Sequence, residues 1–406
     1  MAKRKPGRPA GKPQPKGPPP RAAKTAKAEK PPEAEKAGPA PRKTGPDIKV
    51  ARSLSGLGEE VITVAGKGKN PSIAIPMRAL SNVRFNKSTS IIEMGKAKQK
   101  RSFFNVTMAK RFMQTFLVAR GCKELIDQGK TTSIRDLYYH LKHTLGRTSE
   151  NTFDEQDESD ALIEDLEVTV DALREELHLY AENKGAMVGN ITIADRGDVI
   201  DCRRMGTGGY SIPSIVEEDV VQFRKNDAKF VLLIEKGAVW RRFNEDRFWA
   251  KHRCIIVHGG GQPPRGVRRL LYRFANELGL PVYVLVDNDP WGYYIYSVVK
   301  QGSINLAYES RRMAVPGAKF VGMSSFDAEK FQLPREVTIK LNDQDKGRAN
   351  ELLKYPWFQQ KEWQREIRNM LAAGVKLELE AFSNRDFSFI TETYLPRKLA
   401  DKDWLG

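Results

Sequence analysis

The sequence predicts a multidomain α/β protein: a basic N-terminal tail without fixed structure, a helical domain, and a domain built on a parallel sheet. Three observations predict it. From residue 186 onward, short apolar runs alternate with helical patterns. Between residues 102 and 145, apolar side chains recur at helical spacing. The first 50 residues carry 14 Lys or Arg against 4 Asp or Glu, and 12 of the 23 prolines fall before residue 47, with no aromatic among them. Such a tail cannot bury enough apolar surface to offset its ordering entropy, so disorder is expected over residues 1–68.

The chain has 406 residues, enough for two or three full cores, and a net charge of +17. That excess favours a polyanionic partner, nucleic acid before membrane. The three cysteines, Cys122, Cys202 and Cys254, form no CxxC pair. This argues against zinc or a disulfide framework and fits a reducing cytoplasm. No apolar stretch approaches the length of a membrane span, and the N-terminus lacks the apolar core of a signal peptide.

In chain order, the tail begins KRKPGRPAG. Gly7-Arg8-Pro9, flanked by Lys3, Arg4, Lys5 and Lys12, resembles the core of an AT-hook, whose arginine enters a narrow A·T minor groove. A general phosphate-binding tail fits the same residues. Ordered sequence is expected from about residue 70, with a domain over 69–150 whose helical pattern breaks at Gly129-Lys130. Residues 154–176 hold 11 acids and one arginine. Leu162, Leu166 and Leu173 suggest a helix there, with a solvated acidic face, inside a connecting segment over 151–185. Over 186–406, strands are expected at 230–234, 254–257 and 282–286, with helices at 238–249, 265–278 and 291–300. This alternation implies parallel strands joined by right-handed crossovers. Residues 355–379 read as mostly helical.

Two of the predicted strands end in acid. KFVLLIEKG closes on Glu235, and LPVYVLVDNDPWG closes on Asp287 and Asp289. Their Val/Ile/Leu content is that of strands buried on both faces. Open α/β sheets bind ligands beyond the carboxyl ends of their strands. Three carboxylates there would make a hard, oxygen-only pocket suited to Mg²⁺. Ordinary loop acids are the alternative, with Asp289 capping the next helix.

In TTSIRDLYYHLKHTL, Ser133 suits an N-cap, with Asp136 three residues on. Ile134, Leu137, Tyr138, Leu141 and Leu145 make one apolar stripe, which assigns Tyr138 to the core. Arg135, Tyr139 and Lys142 fall on another face. A phenol beside two cations suits nucleophilic attack on a phosphodiester. From local sequence alone an amphipathic surface tyrosine is the favoured reading. This helix and the preceding one could form a helix-turn-helix or winged-helix unit.

In HGGGQPPRGVRRLLYRF, the glycines allow close backbone approach at a strand end. Arg265, Arg268 and Arg269 then share a face, with Arg273 further along, as a candidate phosphate track. A surface basic helix after a glycine turn is the alternative. No G-x-S-x-G elbow accompanies the HGGG, so an esterase is excluded, and no G-x-x-x-x-G-K-[ST] loop for ATP occurs.

SIRDLYYHLKHT, NTFDEQDESD, VLLIEKGAV, GGGQPPRGVRR, VYVLVDNDPWGYYIYSVVKQGS and FITETYLPRKL stand in one order along residues 70–400. Over that span the chain resembles the DNA topoisomerase VI A-subunit family, whose core the meiotic double-strand-break proteins share. The resemblance implies a winged-helix (catabolite-activator-like) domain followed by a Toprim domain. It implies Tyr139 as nucleophile, Arg135 on the scissile phosphate, Mg²⁺ at Glu235, Asp287 and Asp289, and Glu235 as general acid at the 3′-oxygen. It further implies a homodimer on duplex DNA, each tyrosine serving the other protomer's metal and leaving a 5′-phosphotyrosyl link. ATP would be used by a separate GHKL-type B subunit in an A2B2 assembly. A cytoplasmic, nucleoid-associated location follows. The basic proline-rich tail departs from the family's usual core. A transesterase that cuts without efficient resealing, or a noncatalytic DNA-architectural protein, are the alternatives.

Overall fold

The fold, a computed structural model, describes residues 45–406. Arg8 and residues 1–44 of the expected tail lie outside the described residues.

The chain is helical well before residue 69. Helix α1 (Gly45–Gly66) places Val50 and Leu54 in a core with Val118, Cys122 and Leu166. Val50, Leu54, Leu57 and Val61 recur at helical spacing, and that stripe gives the segment a reason to fold. The expectation of disorder through residue 68 is therefore corrected over 45–66: a proline-rich neighbourhood masked an amphipathic pattern.

Two antiparallel strands, β1 (Ser72–Pro76) and β4 (Lys98–Ser102), flank a hairpin of β2 (Val83–Asn86) and β3 (Ile91–Met94). Helix α2 (Val106–Gln128) starts on an Asn105 cap and stops at Gly129, whose φ of 63° is the left-handed C-cap expected of glycine. Strand β5 (Thr132–Ser133) leads into α3 (Ile134–Leu141), where the Ser133 hydroxyl accepts from the Asp136 amide at 3.0 Å. Helix α4 (Gln156–Val170) and β6 (Leu179–Tyr180) complete this body, β6 pairing with β5.

The segment expected to be a solvated connector is part of that core. Leu162, Ile163 and Leu166 of α4 are fully buried. Its buried Asp165 is satisfied internally, pairing with Arg101 at 2.8 Å and Arg78 at 3.0 Å. Distant arginines, invisible to local pattern, make an acidic helix packable.

Next comes a separate β module. Strands β8 (Ile191–Asp195), β9 (Asp198–Asp201) and β11 (Val221–Asn226) form an antiparallel sheet. The six-stranded sheet runs β10 (Tyr210–Ser211), β7 (Ala186–Gly189), β13 (Ile255–His258), β12 (Val231–Ile234), β14 (Val282–Leu285) and β15 (Lys319–Phe320). β13, β12, β14 and β15 are parallel, as the alternation predicted. β7 and β10 add an antiparallel edge, so the sheet is mixed.

Val231 and Leu233 of β12 point into one core layer and Leu232 and Ile234 into the other, so the strand is buried on both faces. Helices α5 (Gly237–Glu245), α6 (Phe248–His252), α7 (Arg265–Glu277) and α8 (Pro290–Gln301) follow the strands. Among the described residues no helix is long and apolar enough to cross a membrane.

Candidate active site

The acid-tipped strands are neighbours. β12 lies between β13 and β14, so Glu235 and Asp287 leave the same sheet edge side by side. The Asp287 amide donates to Glu235 Oε2 at 3.1 Å. Burial, then the charge of Asp287, pushes the Glu235 carboxyl up to about 7. Burial also lifts Asp287 to about 6, against the pull of Lys236, and raises Asp289.

Three features the sequence reading missed complete this corner. The Lys236 ammonium lies 2.8 Å from Asp287 Oδ2, 3.1 Å from Glu378 and 3.0 Å from Glu380. Residues 377–380 are held there by reciprocal backbone bonds between Asn288 and Leu377 and by the Leu379 amide, which donates to Asp287 Oδ1 at 2.8 Å. Behind the loop, Asn288 Nδ2 donates to the Tyr293 hydroxyl at 2.6 Å, which donates to buried Glu366 at 2.8 Å. Lys236 directly follows Glu235 and could have been noticed; Glu378 and Glu380 lie some 90 residues from Asp287 and carried no local signal.

Asp289 does what the plainer reading required of it. Its carboxylate accepts from the Gly292 amide at 2.5 Å and caps α8, with Pro290 at the first helical position. A Cβ at Gly292 would lie 2.6 Å from the Asp287 carbonyl oxygen, so this turn requires glycine. The expected convergence of Glu235, Asp287 and Asp289 is thus incomplete. Among the described residues no group of three or more His, Cys, Asp or Glu is gathered closely enough to hold a metal ion. The donor chemistry nevertheless fits a hard divalent cation: the side chains present are oxygen-only and largely buried, and burial, which raises their affinity for protons, leaves their charge in want of a cation. Lys236 supplies the positive charge these acids face here.

The glycine loop closes over the same corner. Gly260 and Gly261 take φ of 65° and 95°, conformations that L side chains rarely adopt, and the Gly261 amide donates to the Glu235 carbonyl at 2.9 Å.

On α3 the tyrosines part as the stripe predicted. Tyr138 is 5% exposed and donates its hydroxyl to the Asp154 carbonyl at 2.9 Å. Tyr139 is 59% exposed, and Arg135, one turn earlier, is exposed too. Lys142 departs from expectation. The helix ends at Leu141, Lys142 is extended, and its ammonium donates to Tyr138 at 2.6 Å and the Asp154 carbonyl at 2.8 Å. The i+7 argument placed it with Tyr139 only because it assumed an unbroken helix.

The basic track on α7 is also corrected. Arg265 pairs with Glu167 at 3.0 Å, Glu175 at 3.2 Å and Glu309 at 2.5 Å. Arg268 pairs with Glu309 at 2.6 Å and Arg269 with Glu217 at 2.6 Å. Arg273 is buried against Glu277. These side chains stitch the interior and present no phosphate track.

Residues 230–399 match the family model for the Toprim domain of the topoisomerase 6 A subunit and Spo11, and 110–179 match "Type IIB DNA topoisomerase". The antiparallel module, expected to be part of the Toprim domain, matches at 181–227 "All-beta domain in DNA topoisomerase VI alpha subunit". The chain is 43% identical over 363 residues to the type 2 DNA topoisomerase 6 A subunit of Hyperthermus butylicus, covering 86% of this chain and 93% of that one.

The chain belongs to the topoisomerase VI A-subunit family.

The corresponding protein of Pyrococcus horikoshii is 42% identical, covering 87% of this chain and 94% of its own. A plant relative, the DNA topoisomerase 6 A3 subunit of Oryza sativa subsp. indica, is 37% identical over 83% of this chain and 74% of its own. Membership makes this a type IIB topoisomerase A subunit with a Toprim domain over β12–β15, and it removes the purely architectural alternative.

Proposed function

We propose that this topoisomerase VI A-family chain cuts and rejoins both strands of duplex DNA by transesterification, with Tyr139 as nucleophile. The observation that carries the reading is the division of labour on α3. Tyr138 is spent on packing and a carbonyl, while Tyr139, its ring edge-on to Tyr138 at 5.1 Å, is exposed to solvent with Arg135 on the adjacent turn. The α1–α4 body is read as the winged-helix domain.

In the forward step Tyr139 gives up its phenolic proton to solvent, its oxygen bonds to the scissile phosphorus, and the bond from phosphorus to the 3′-oxygen breaks. The products are a 5′-phosphotyrosyl link and a free 3′-hydroxyl. The link keeps the energy of the broken ester, so rejoining needs no cofactor. Arg135 neutralises the phosphate. Glu235, with its carboxyl near 7, can carry a proton at neutral pH and deliver it to the departing 3′-oxygen.

Glu235, Asp287 and Asp289 would hold Mg²⁺, which when bound supplies Lewis-acid stabilisation of charge on the phosphate. Tyr139 lies on α3 and the acid corner at the strand ends of the six-stranded sheet, in segments matched by different domain models, which supports a homodimer in which each tyrosine serves the other protomer. ATP enters through a GHKL-type B subunit in an A2B2 assembly acting on nucleoid DNA.

The decisive experiment traps the covalent adduct on denaturing gels from supercoiled plasmid, Mg²⁺, ATP and the B partner. Wild type forms a protein–DNA adduct and Tyr139→Phe forms none; crosslinking by Tyr139→Phe would sink the assignment.

A further inference from the structure

We propose that the ribbon formed by β1 and β4 is a duplex-DNA backbone contact that carries the phosphate-tracking role α7 does not. The inference rests on the reading that this chain acts on duplex DNA, and it locates a surface that reading leaves open.

The ribbon is one-sided in charge. Residues 95–104 contain four Lys or Arg and no acid. Along β4 the side chains alternate. Arg101 turns inward to Thr115 and Asp165, at 2.8 Å from each. Lys98 and Lys100 therefore stand on the opposite, outer face. Across the ribbon they meet only Pro76 and Ala74, and Ala74 is exposed. Neither lysine has an acidic partner among the described ion pairs, whereas the α7 arginines Arg265, Arg268 and Arg269 all do. Lysines two apart on a strand are spaced by about 6.6 Å. That exceeds the axial rise of about 3.4 Å per nucleotide of a DNA strand, so each lysine can meet a phosphate of its own.

Aromatics close the ribbon at one end. Phe103 is 44% exposed and Phe104 63% exposed, their rings 5.5 Å apart. The Phe104 amide donates to Asn70 Oδ1 at 2.9 Å, and the Phe103 amide donates to the Pro71 carbonyl at 2.9 Å. Those bonds bring the exposed Lys69 beside the phenylalanines. A solvated basic strand needs no exposed aromatic pair fixed at its end. A nucleic-acid surface uses one, since apolar rings wedge at base steps while ammonium groups hold phosphates.

The test is binding of the full-length chain to a mixed-sequence duplex, followed by fluorescence anisotropy at several salt concentrations in EDTA. Neutralising two contacts in Lys98→Gln/Lys100→Gln lowers the slope of log K against log salt by about 1.8, from 0.9 per phosphate. Because both side chains point outward, the melting temperature stays at the wild-type value. Phe104→Ser weakens binding with the slope unchanged. A double variant with wild-type slope and affinity overturns the proposal. So does intact DNA binding with lost association to an acidic protein partner, which makes the ribbon a protein-docking face. Adduct formation by the same preparations separates the two readings: wild-type adduct with an unaltered slope sinks the ribbon alone, and wild type that binds no duplex sinks both.

Discussion

Lys236 and Asp287 form an ion pair of 2.8 Å between the ends of two adjacent parallel strands. Glu378 and Glu380 hold the same ammonium. Burial pulls the lysine's affinity for its proton down, but Asp287 and Glu380 outweigh it, so the group stays charged. Lys236 is thus the resident cation of a corner built to hold one.

Removing that cation has opposite effects on the free and metal-bound protein. Lys236→Gln leaves Asp287 and Glu235 facing each other uncompensated. Stability without metal falls by about 1–3 kcal/mol, less than for a fully buried pair because Lys236 is partly exposed. Mg²⁺ or Mn²⁺ then binds several-fold more tightly, since no ammonium competes. Calorimetric titration and melting curves with and without metal check both halves. Weaker metal binding would show that Lys236 assists the site.

The acid corner sets a pH dependence. Glu235 and Asp287 have folded-state values above their unfolded ones, at about 7 and about 6. Their contribution to stability is therefore present at pH 4 and is lost as pH rises through 6 and 7. Cation binding runs the other way, because it needs the deprotonated acids. Metal affinity is expected to climb between pH 5.5 and 7.5, and Glu235→Gln should flatten the upper part of that rise. A rise of equal steepness in the variant would assign the titration elsewhere.

The paired tyrosines separate chemistry from packing. Tyr138→Phe loses the bonds to the Asp154 carbonyl and Lys142 and should cost about 1–2 kcal/mol while keeping the covalent adduct. Tyr139→Phe should change stability by less than about 0.5 kcal/mol, as exposed positions do. Denaturant melts beside adduct gels distinguish them.

Arg268 is a structural prediction. Arg268→Ala strands the fully buried Glu309 with one partner fewer and should destabilise by about 3–5 kcal/mol. Its salt slope for DNA binding should match wild type. A reduced slope with full stability would restore the phosphate track.

What the sequence made legible were features with short-range periodicity. Val231–Ile234 and Val282–Leu285 are apolar on both faces, so strand, burial and acid tip were all readable. The Tyr138 and Tyr139 split followed from one helical stripe. Misreadings came from what period cannot carry. Lys142 lies one residue beyond a helix end, where the i+7 rule stops applying. Arg265 looks the same on paper whether it faces water or Glu167, nearly a hundred residues upstream. The antiparallel edge of β7 and β10 depends on pairing across the chain, and α1 was hidden by the prolines before it.

The buried cluster of Arg265, Arg268, Glu167, Glu175 and Glu309 spans α4, the turn after it, α7 and the segment after α8. It rivets the layer that carries α3 to the layer that carries β12 and β14. Parting those layers would strand several charges in a dry interior at once. A single chain therefore moves as one block, and in the proposed dimer the gate for a second duplex would open at the seam between blocks, with Tyr139 fixed in its own frame while the broken ends travel with it.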